Sequence, residues 1–320
     1  MNMKLTFGLF ITSLLLPLVS QAESAESFVG VKPDKESCNH DNNEFSALPS
    51  ITEEKAPFID LYAEDLNQRI NKNIGETCQI DGIGIKGRIS KETYFTIKLA
   101  LALIDKRPES KRSLKIWLES PGGVIRDAMN IGRLVSANNM EAMIPFNGGC
   151  YSSCVLIYAA ASSRWGIGEL GIHRPFSYEV STKEITHEEY LSHYEVISEE
   201  MRTYLASYGV SPGLVDEMNV IPSDDIKLIE LGQRDKYGLG IENIAFVEYD
   251  KAKTIELCGR DYYEQHLAHS QYLKSCRERL QVTGFDSDAP CWEEAKTAFP
   301  EYRQDFQGCQ VKKHERFQGR

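Results

Sequence analysis

Three segments between residues 120 and 175 decide the reading of this chain: Ser120-Pro121-Gly122-Gly123-Val124, Gly148-Gly149-Cys150-Tyr151-Ser152-Ser153-Cys154 and Leu170-Gly171-Ile172-His173-Arg174-Pro175. Leu114 to Leu118 reads as a buried strand running into the first segment, and Val124 to Ala137 reads as the helix that leaves it. The paired glycines thus fall at a strand-to-helix junction, where they take backbone angles closed to other residues and bring an N–H close to a bound carbonyl. The second segment follows a strand over Glu141 to Phe146 and opens a small-residue apolar helix from Ser152 to Ala161; the third ends a short apolar strand on a lone histidine.

Working outward, Ile83 to Gly87 is a short strand, and Ser90 to Asp105 has helical spacing (Tyr94, Ile97, Leu99, Leu101, Ile104) with Ser90 as cap. Strands alternating with helices imply βαβ units, a mostly parallel sheet and the α/β class. After the histidine, Tyr178 to Glu184 is a polar excursion, His187 to Tyr208 an amphipathic helix, Ile221 to Asp225 a turn, and Gly232 to Gly240 a closing helix. The boundaries expected are a signal peptide over 1–22, a polar leader over 23–80 that is loosely ordered to about 56, a catalytic domain over 81–245 and a Cys-rich helical module over 246–320.

Lys4, an apolar run from Leu5 to Val19, and Ser20-Gln21-Ala22 have the pattern of a secretory signal. The run is shorter than the roughly 20 residues that span a bilayer, so no membrane span is expected after cleavage, and the location expected is periplasmic or secreted. The net charge of −11, without a basic cluster, argues against nucleic acid as a partner. Eight cysteines in an exported chain argue for disulfides: Cys38, Cys78, Cys150, Cys154, Cys258, Cys276, Cys291 and Cys309. In the tail, both cysteine steps span the same five helical turns, so two antiparallel arms would pair Cys258 with Cys309 and Cys276 with Cys291. No Cys-x-x-Cys and no helical His pair stands beside them, so no metal is expected.

Acyl transfer needs a nucleophile, a base and N–H donors aimed at an oxyanion. Singly, each segment has a plainer reading: a tight turn for the glycines, an N-cap for Ser152-Ser153, a structural residue for His173. In order, with Gly87-Arg88-Ile89 before them and Tyr237-Gly238-Leu239 after, they resemble the proteolytic subunit of the Clp protease, in the ClpP/crotonase superfamily. Cys-Tyr-Ser-Ser-Cys is similar to the Cys-x-Ser-x-Cys of exported ClpP-like proteins. The resemblance covers residues 81 to 242 and implies a ClpP/crotonase-like superhelical core. It puts the nucleophile on Ser152, with Ser153 as alternative, and the base on His173. The third member falls on Asp225, with Asp224 as alternative, and the oxyanion donors are the N–H groups of Gly123 and Ser153. A disulfide between Cys150 and Cys154 would clamp the nucleophile's turn. No cofactor is implied. The substrates implied are peptides or unfolded chains, handled without an ATP-driven unfoldase, with a homo-oligomer possible but the double ring in doubt because Tyr178 to Glu184 is short. The competing readings are a non-catalytic binding scaffold and a small-acyl esterase or thioesterase.

Overall fold

The computed structural model describes residues 27–34, 45–58, 64, 66–68, 70–72, 78–105, 114–166, 168–176, 186–280, 289–300, 302 and 308–309. The expected signal peptide, Cys38 and the polar excursion over 178–184 lie outside the described residues.

A six-stranded sheet forms the main layer. β1 (Phe28–Pro33) and β2 (Ser46–Ala47) lie at one edge, followed by β3 (Ile80–Lys86), β4 (Lys115–Glu119), β5 (Glu141–Met143) and β7 (Arg164–Trp165). From β3 onward the pairing is parallel, as the alternation of strands and helices requires. β3 shows why it forms: Ile83 and Ile85 point into the core, while Gly82 and Gly84 face the other way. A Cβ on Gly84 would sit 2.6 Å from the Phe45 ring and one on Gly82 only 1.9 Å from the Lys115 carbonyl oxygen, so the glycine face admits close cover.

The leader expected over 23–80 contributes part of this sheet, which corrects its reading as loosely ordered. β1 pairs antiparallel with β3, Val29 opposite Ile85 and Val31 opposite Ile83, and both valines are buried. Phe28 to Pro33 has too few apolar residues to stand out among polar neighbours, and its partner lies some fifty residues away.

A second, three-stranded sheet joins β6 (Gly149–Tyr151), β8 (Glu169–Ile172) and β9 (Lys227–Leu228), with β6 and β8 parallel and β9 antiparallel. The chain visits the two sheets in turn. β5 goes to the large sheet, β6 to the small one, and α3 (Cys154–Ala160) follows; β7 and β8 repeat the order before α4 (His187–Ser207). Helix α1 (Lys91–Asp105) starts on a reciprocal pair in which Thr93 N–H donates to Ser90 Oγ and Ser90 N–H to Thr93 Oγ1. Helix α2 (Ile125–Ala137) buries Ala128, Met129, Ile131 and Val135. All seven residues of α3 are buried, so it runs through the middle of the core. Tyr204 of α4 donates its hydroxyl hydrogen to the Leu156 carbonyl at 2.9 Å, against Gly132, where a Cβ would strike that oxygen.

Two buried arginines lock the far side of α3. Arg164 donates to the carbonyls of Tyr158, Ala159, Gly238 and Gly240, and burial brings its guanidinium down to about 10, still charged at neutral pH. Arg234 donates to the Gly168 carbonyl at 2.7 Å and the Gly166 carbonyl at 3.2 Å. It comes from α6 (Leu231–Arg234), which follows α5 (Gly213–Val220) and passes into a 3-10 turn over Asp235–Tyr237 in place of the longer helix expected over 232–240.

The tail is helical, as expected: α7 (Ile244–Cys258), α8 (Arg260–Leu280) and α9 (Ala289–Ala298). Disulfides join Cys258 to Cys309 and Cys276 to Cys291. The single arm from Cys258 to Cys276 is nevertheless broken, because Gly259 takes a φ of +90° between α7 and α8. The tail has its own small cores, Leu273, Cys276, Cys291 and Ala295 in one, Tyr262, Tyr302 and Cys309 in the other, apart from the main one. The segment that leads into α7 is bonded to the α/β half, Arg164 N–H donating to the Ile241 carbonyl and Asn243 Nδ2 to the Ala161 carbonyl. Among the described residues no helix is long and apolar enough to cross a membrane.

Candidate active site

The site lies where both sheets meet the Ser120 turn. Ser120 N–H donates to the Gly149 carbonyl at 2.8 Å and Tyr151 N–H to the Ser120 carbonyl at 2.9 Å, so the glycine turn is stitched to β6 just before Ser152. Ser120 Oγ donates to the Gly87 carbonyl and accepts from Gly122 N–H, fixing the turn on its other side. Gly122 has a φ of +96°, and a Cβ placed there would sit 2.6 Å from Ser152 Cβ and 3.1 Å from its Oγ. Gly123 passes so close to Ile89 that its Cβ would lie 2.0 Å from the Ile89 carbonyl oxygen. Both positions therefore exclude a side chain, one for conformation and contact, the other for contact alone.

Ser152 holds a φ of +57°, the left-handed region, at a cost of roughly 1–3 kcal/mol for a residue with a side chain. Its N–H donates to the Gly171 carbonyl at 2.9 Å, which secures the turn against β8. The helix after it begins at Cys154 and has seven residues, so Ser152 precedes the helix and does not occupy its first turn. Ser153 is not a side-chain cap: its Oγ is buried, at 3% exposure, and has no hydrogen-bond partner among the described residues. An enclosed hydroxyl cannot meet a substrate, whereas Ser152 is half-buried. The N–H groups of Gly123 and Ser153 take no part in backbone hydrogen bonding among the described residues. Two donors without a backbone acceptor thus occur in the two turns that meet at Ser152, and donors of this kind can serve a developing oxyanion.

The register of the small sheet brings the other expected residues to the same end. Tyr151 pairs with Gly171, so Ser152 and His173 come one and two residues beyond the last pair; Ile172 pairs with Lys227, which puts Asp225 just past the end of β9. The side chains are not linked as a relay. His173 is buried, and its Nδ1 lies 2.8 Å from the Arg174 carbonyl oxygen. A carbonyl only accepts, so Nδ1 carries the hydrogen, and in the neutral tautomer this selects it is Nε2 that has the lone pair. The Asp225 carboxylate accepts from the N–H of Ile226 at 2.8 Å, and both Asp224 and Asp225 are exposed. No hydrogen bond joins Ser152 to His173, or His173 to either aspartate, among the described residues. The reason is local: the Arg174 carbonyl is already beside the ring, and the carboxylate caps its own turn.

Sequence reasoning missed two contributors. The Arg174 carbonyl leaves no signal in a side-chain pattern. Tyr151 lies over Gly149, and its hydroxyl donates to the Glu169 carboxylate, which raises the phenol to about 12. Cys150 and Cys154, both fully buried, form a disulfide across Ser152 with their Cα atoms 5.3 Å apart. Cys78 is disulfide-bonded as well. No group of three or more His, Cys, Asp or Glu that could hold a metal ion occurs among the described residues.

No protein-family model matches the chain. The search of curated proteins likewise finds no match. Among solved structures, the chain is similar to a mutant of ClpP1 from Listeria monocytogenes, at 18% identity over 51% of this chain and 92% of that one, with a TM-score of 0.38.

Proposed function

We propose that the chain is an exported serine hydrolase of the Clp protease type, a peptidase acting on peptides or unfolded chains. The observation that carries the reading is Ser152 in a left-handed conformation against Gly122, with the N–H groups of the adjacent Gly123 and Ser153 making no backbone hydrogen bond among the described residues. In this mechanism His173 Nε2 takes the proton of Ser152 as the oxygen attacks a carbonyl, then returns a proton to the leaving group. The two backbone donors stabilise the tetrahedral oxyanion, and water repeats the sequence on the acyl-enzyme. Burial of His173 and its bond to the Arg174 carbonyl support an oriented base. The serine-to-histidine approach has to tighten when substrate enters, as catalytic hydrogen bonds commonly do. The disulfides fit an oxidising compartment outside the cytosol. A homo-oligomer belongs to the same proposal.

A binding scaffold is the second reading, favoured by one observation: His173 and Asp225 each bond to backbone and not to one another. Intact mass before and after a fluorophosphonate separates the two. Wild type and Ser153→Ala should gain one adduct and Ser152→Ala none; a folded wild type that gains no adduct would leave the scaffold. An activated serine that turns over p-nitrophenyl esters but no casein peptides would point to an esterase in place of a peptidase.

A further inference from the structure

We propose that the Cys150–Cys154 disulfide positions Ser152, so that the serine's reactivity depends on the oxidation state of these two cysteines; this rests on the serine hydrolase reading above. The cysteines stand two residues to either side of Ser152. Four residues of extended chain would span about 13 Å, and the cross-link holds the two Cα atoms at 5.3 Å. Cys150 is anchored in β6, opposite Leu170 and bridged to Ser120, while Cys154 opens α3 in the middle of the core. Both anchors are rigid, and the bond fixes the distance between them.

Inside that closed loop lies one of two residues with a side chain and a positive φ among the described residues, the other being Asn139, which is remote in sequence from the site. Hydrogen bonds also hold the loop, among them Tyr151 N–H to the Ser120 carbonyl, Ser152 N–H to the Gly171 carbonyl, Val155 N–H to the Ser152 carbonyl and Leu156 N–H to the Ser153 carbonyl. None involves the N–H of Ser153, which has no partner among the described residues. The peptide between Ser152 and Ser153 is therefore held by hydrogen bonding through its carbonyl alone, and the cross-link adds a second restraint on its rotation. Without the bond, Ser152 can relax toward an ordinary backbone angle, turning Oγ off Gly122 and the Ser153 donor off the oxyanion position, while the hydrogen bonds keep the overall fold.

Both cysteines are at 0% exposure, so a reductant does not reach the bond in the folded protein, and its state is set as the chain folds. Formation is thiol–disulfide exchange: two S–H bonds break, one S–S bond forms, and two electrons and two protons pass to an external disulfide that leaves as two thiols. A chain that folds while its thiols stay reduced would then carry Ser152 in a slow form, and one that folds after export a fast one.

The test follows fluorophosphonate labelling by intact mass in wild type, Cys150→Ala/Cys154→Ala and, as control, Cys276→Ala/Cys291→Ala, with circular dichroism to verify folding. Wild type and control should label completely at one rate. Cys150→Ala/Cys154→Ala should also label completely, but roughly ten- to a hundredfold more slowly, the penalty of a misplacement near 1 Å. Wild type refolded with its thiols reduced should match the slow variant, and should recover once it is unfolded and refolded in the presence of oxidised glutathione. Equal rates throughout would overturn the positioning role and leave the serine hydrolase reading standing. A smaller labelled fraction at the wild-type rate would mean partial unfolding, and would overturn it too. A wild type that does not label removes both.

Discussion

At the scale of single residues, the site turns on which group faces His173 Nδ1. The sequence order points to an aspartate at 225 through the resemblance alone, and the register of β9 brings that residue to the right end of the small sheet. What pattern cannot show is the choice a side chain makes among nearby partners. The Arg174 carbonyl stands 2.8 Å from Nδ1, and the Asp225 carboxylate accepts from Ile226 N–H. If the carbonyl fixes the tautomer, Asp225→Ala should lower the fluorophosphonate labelling rate less than tenfold. A fall approaching the roughly ten-thousandfold seen when a triad loses its aspartate would mean that the carboxylate swings onto the ring during reaction. The resemblance prefers Ser152 to Ser153, but residue type alone does not part them, since both are small polar residues at a helix start. Burial distinguishes the two, Ser153 being enclosed and Ser152 half-buried.

At the scale of elements, legibility follows length and period. Helices α1, α2 and α4 and strands β3 and β4 have enough residues to display a 3.6- or two-residue rhythm, and their order is readable directly. Strands β6, β7 and β9 have two or three residues each and no rhythm at all, yet β6 and β9 make two thirds of the small sheet that holds the site. Helix α5 goes unread for a similar reason, being short and flanked by Pro212 and Pro222. What joins such pieces is side-chain hydrogen bonding across the chain, and Arg164 is the clearest case. Its guanidinium binds the last carbonyls of α3 and the turn through Gly238 and Gly240. Arg164→Met would fill similar space and strand those carbonyls in the core. A loss of about 3 kcal/mol is expected, read as a melting temperature lower by roughly 6–12 °C; a melting curve superimposable on wild type would show that water can replace the guanidinium there.

At the scale of the whole molecule, the α/β half and the tail have separate cores, so acid should act on them differently. His269 of α8 is packed against Trp292, Phe299 and Tyr302, and the Tyr302 hydroxyl in turn meets His266 Nδ1. Burial, and secondarily the neighbouring His266, hold the His269 imidazole below its ordinary value. The unfolded tail then binds a proton at a pH where the folded tail does not. Stability from this group is full above the ordinary value of about 6.5 and declines as pH falls through it toward the lower folded value. Thermal melting between pH 7.5 and 5.5 should show the tail transition moving down in acid, with a shallower slope in His269→Phe; a slope unchanged by that substitution would assign the effect elsewhere. The pairing of the tail cysteines is readable from their spacing, whereas the break at Gly259 is not, because a lone glycine in a helical pattern is ambiguous. The two bonds are nested, Cys276–Cys291 inside Cys258–Cys309. A protease that nicks the backbone once anywhere between Cys258 and Cys309 therefore releases nothing: both fragments travel as one covalent body until a thiol parts them, and damage to this half of the molecule is invisible on a gel run without reductant.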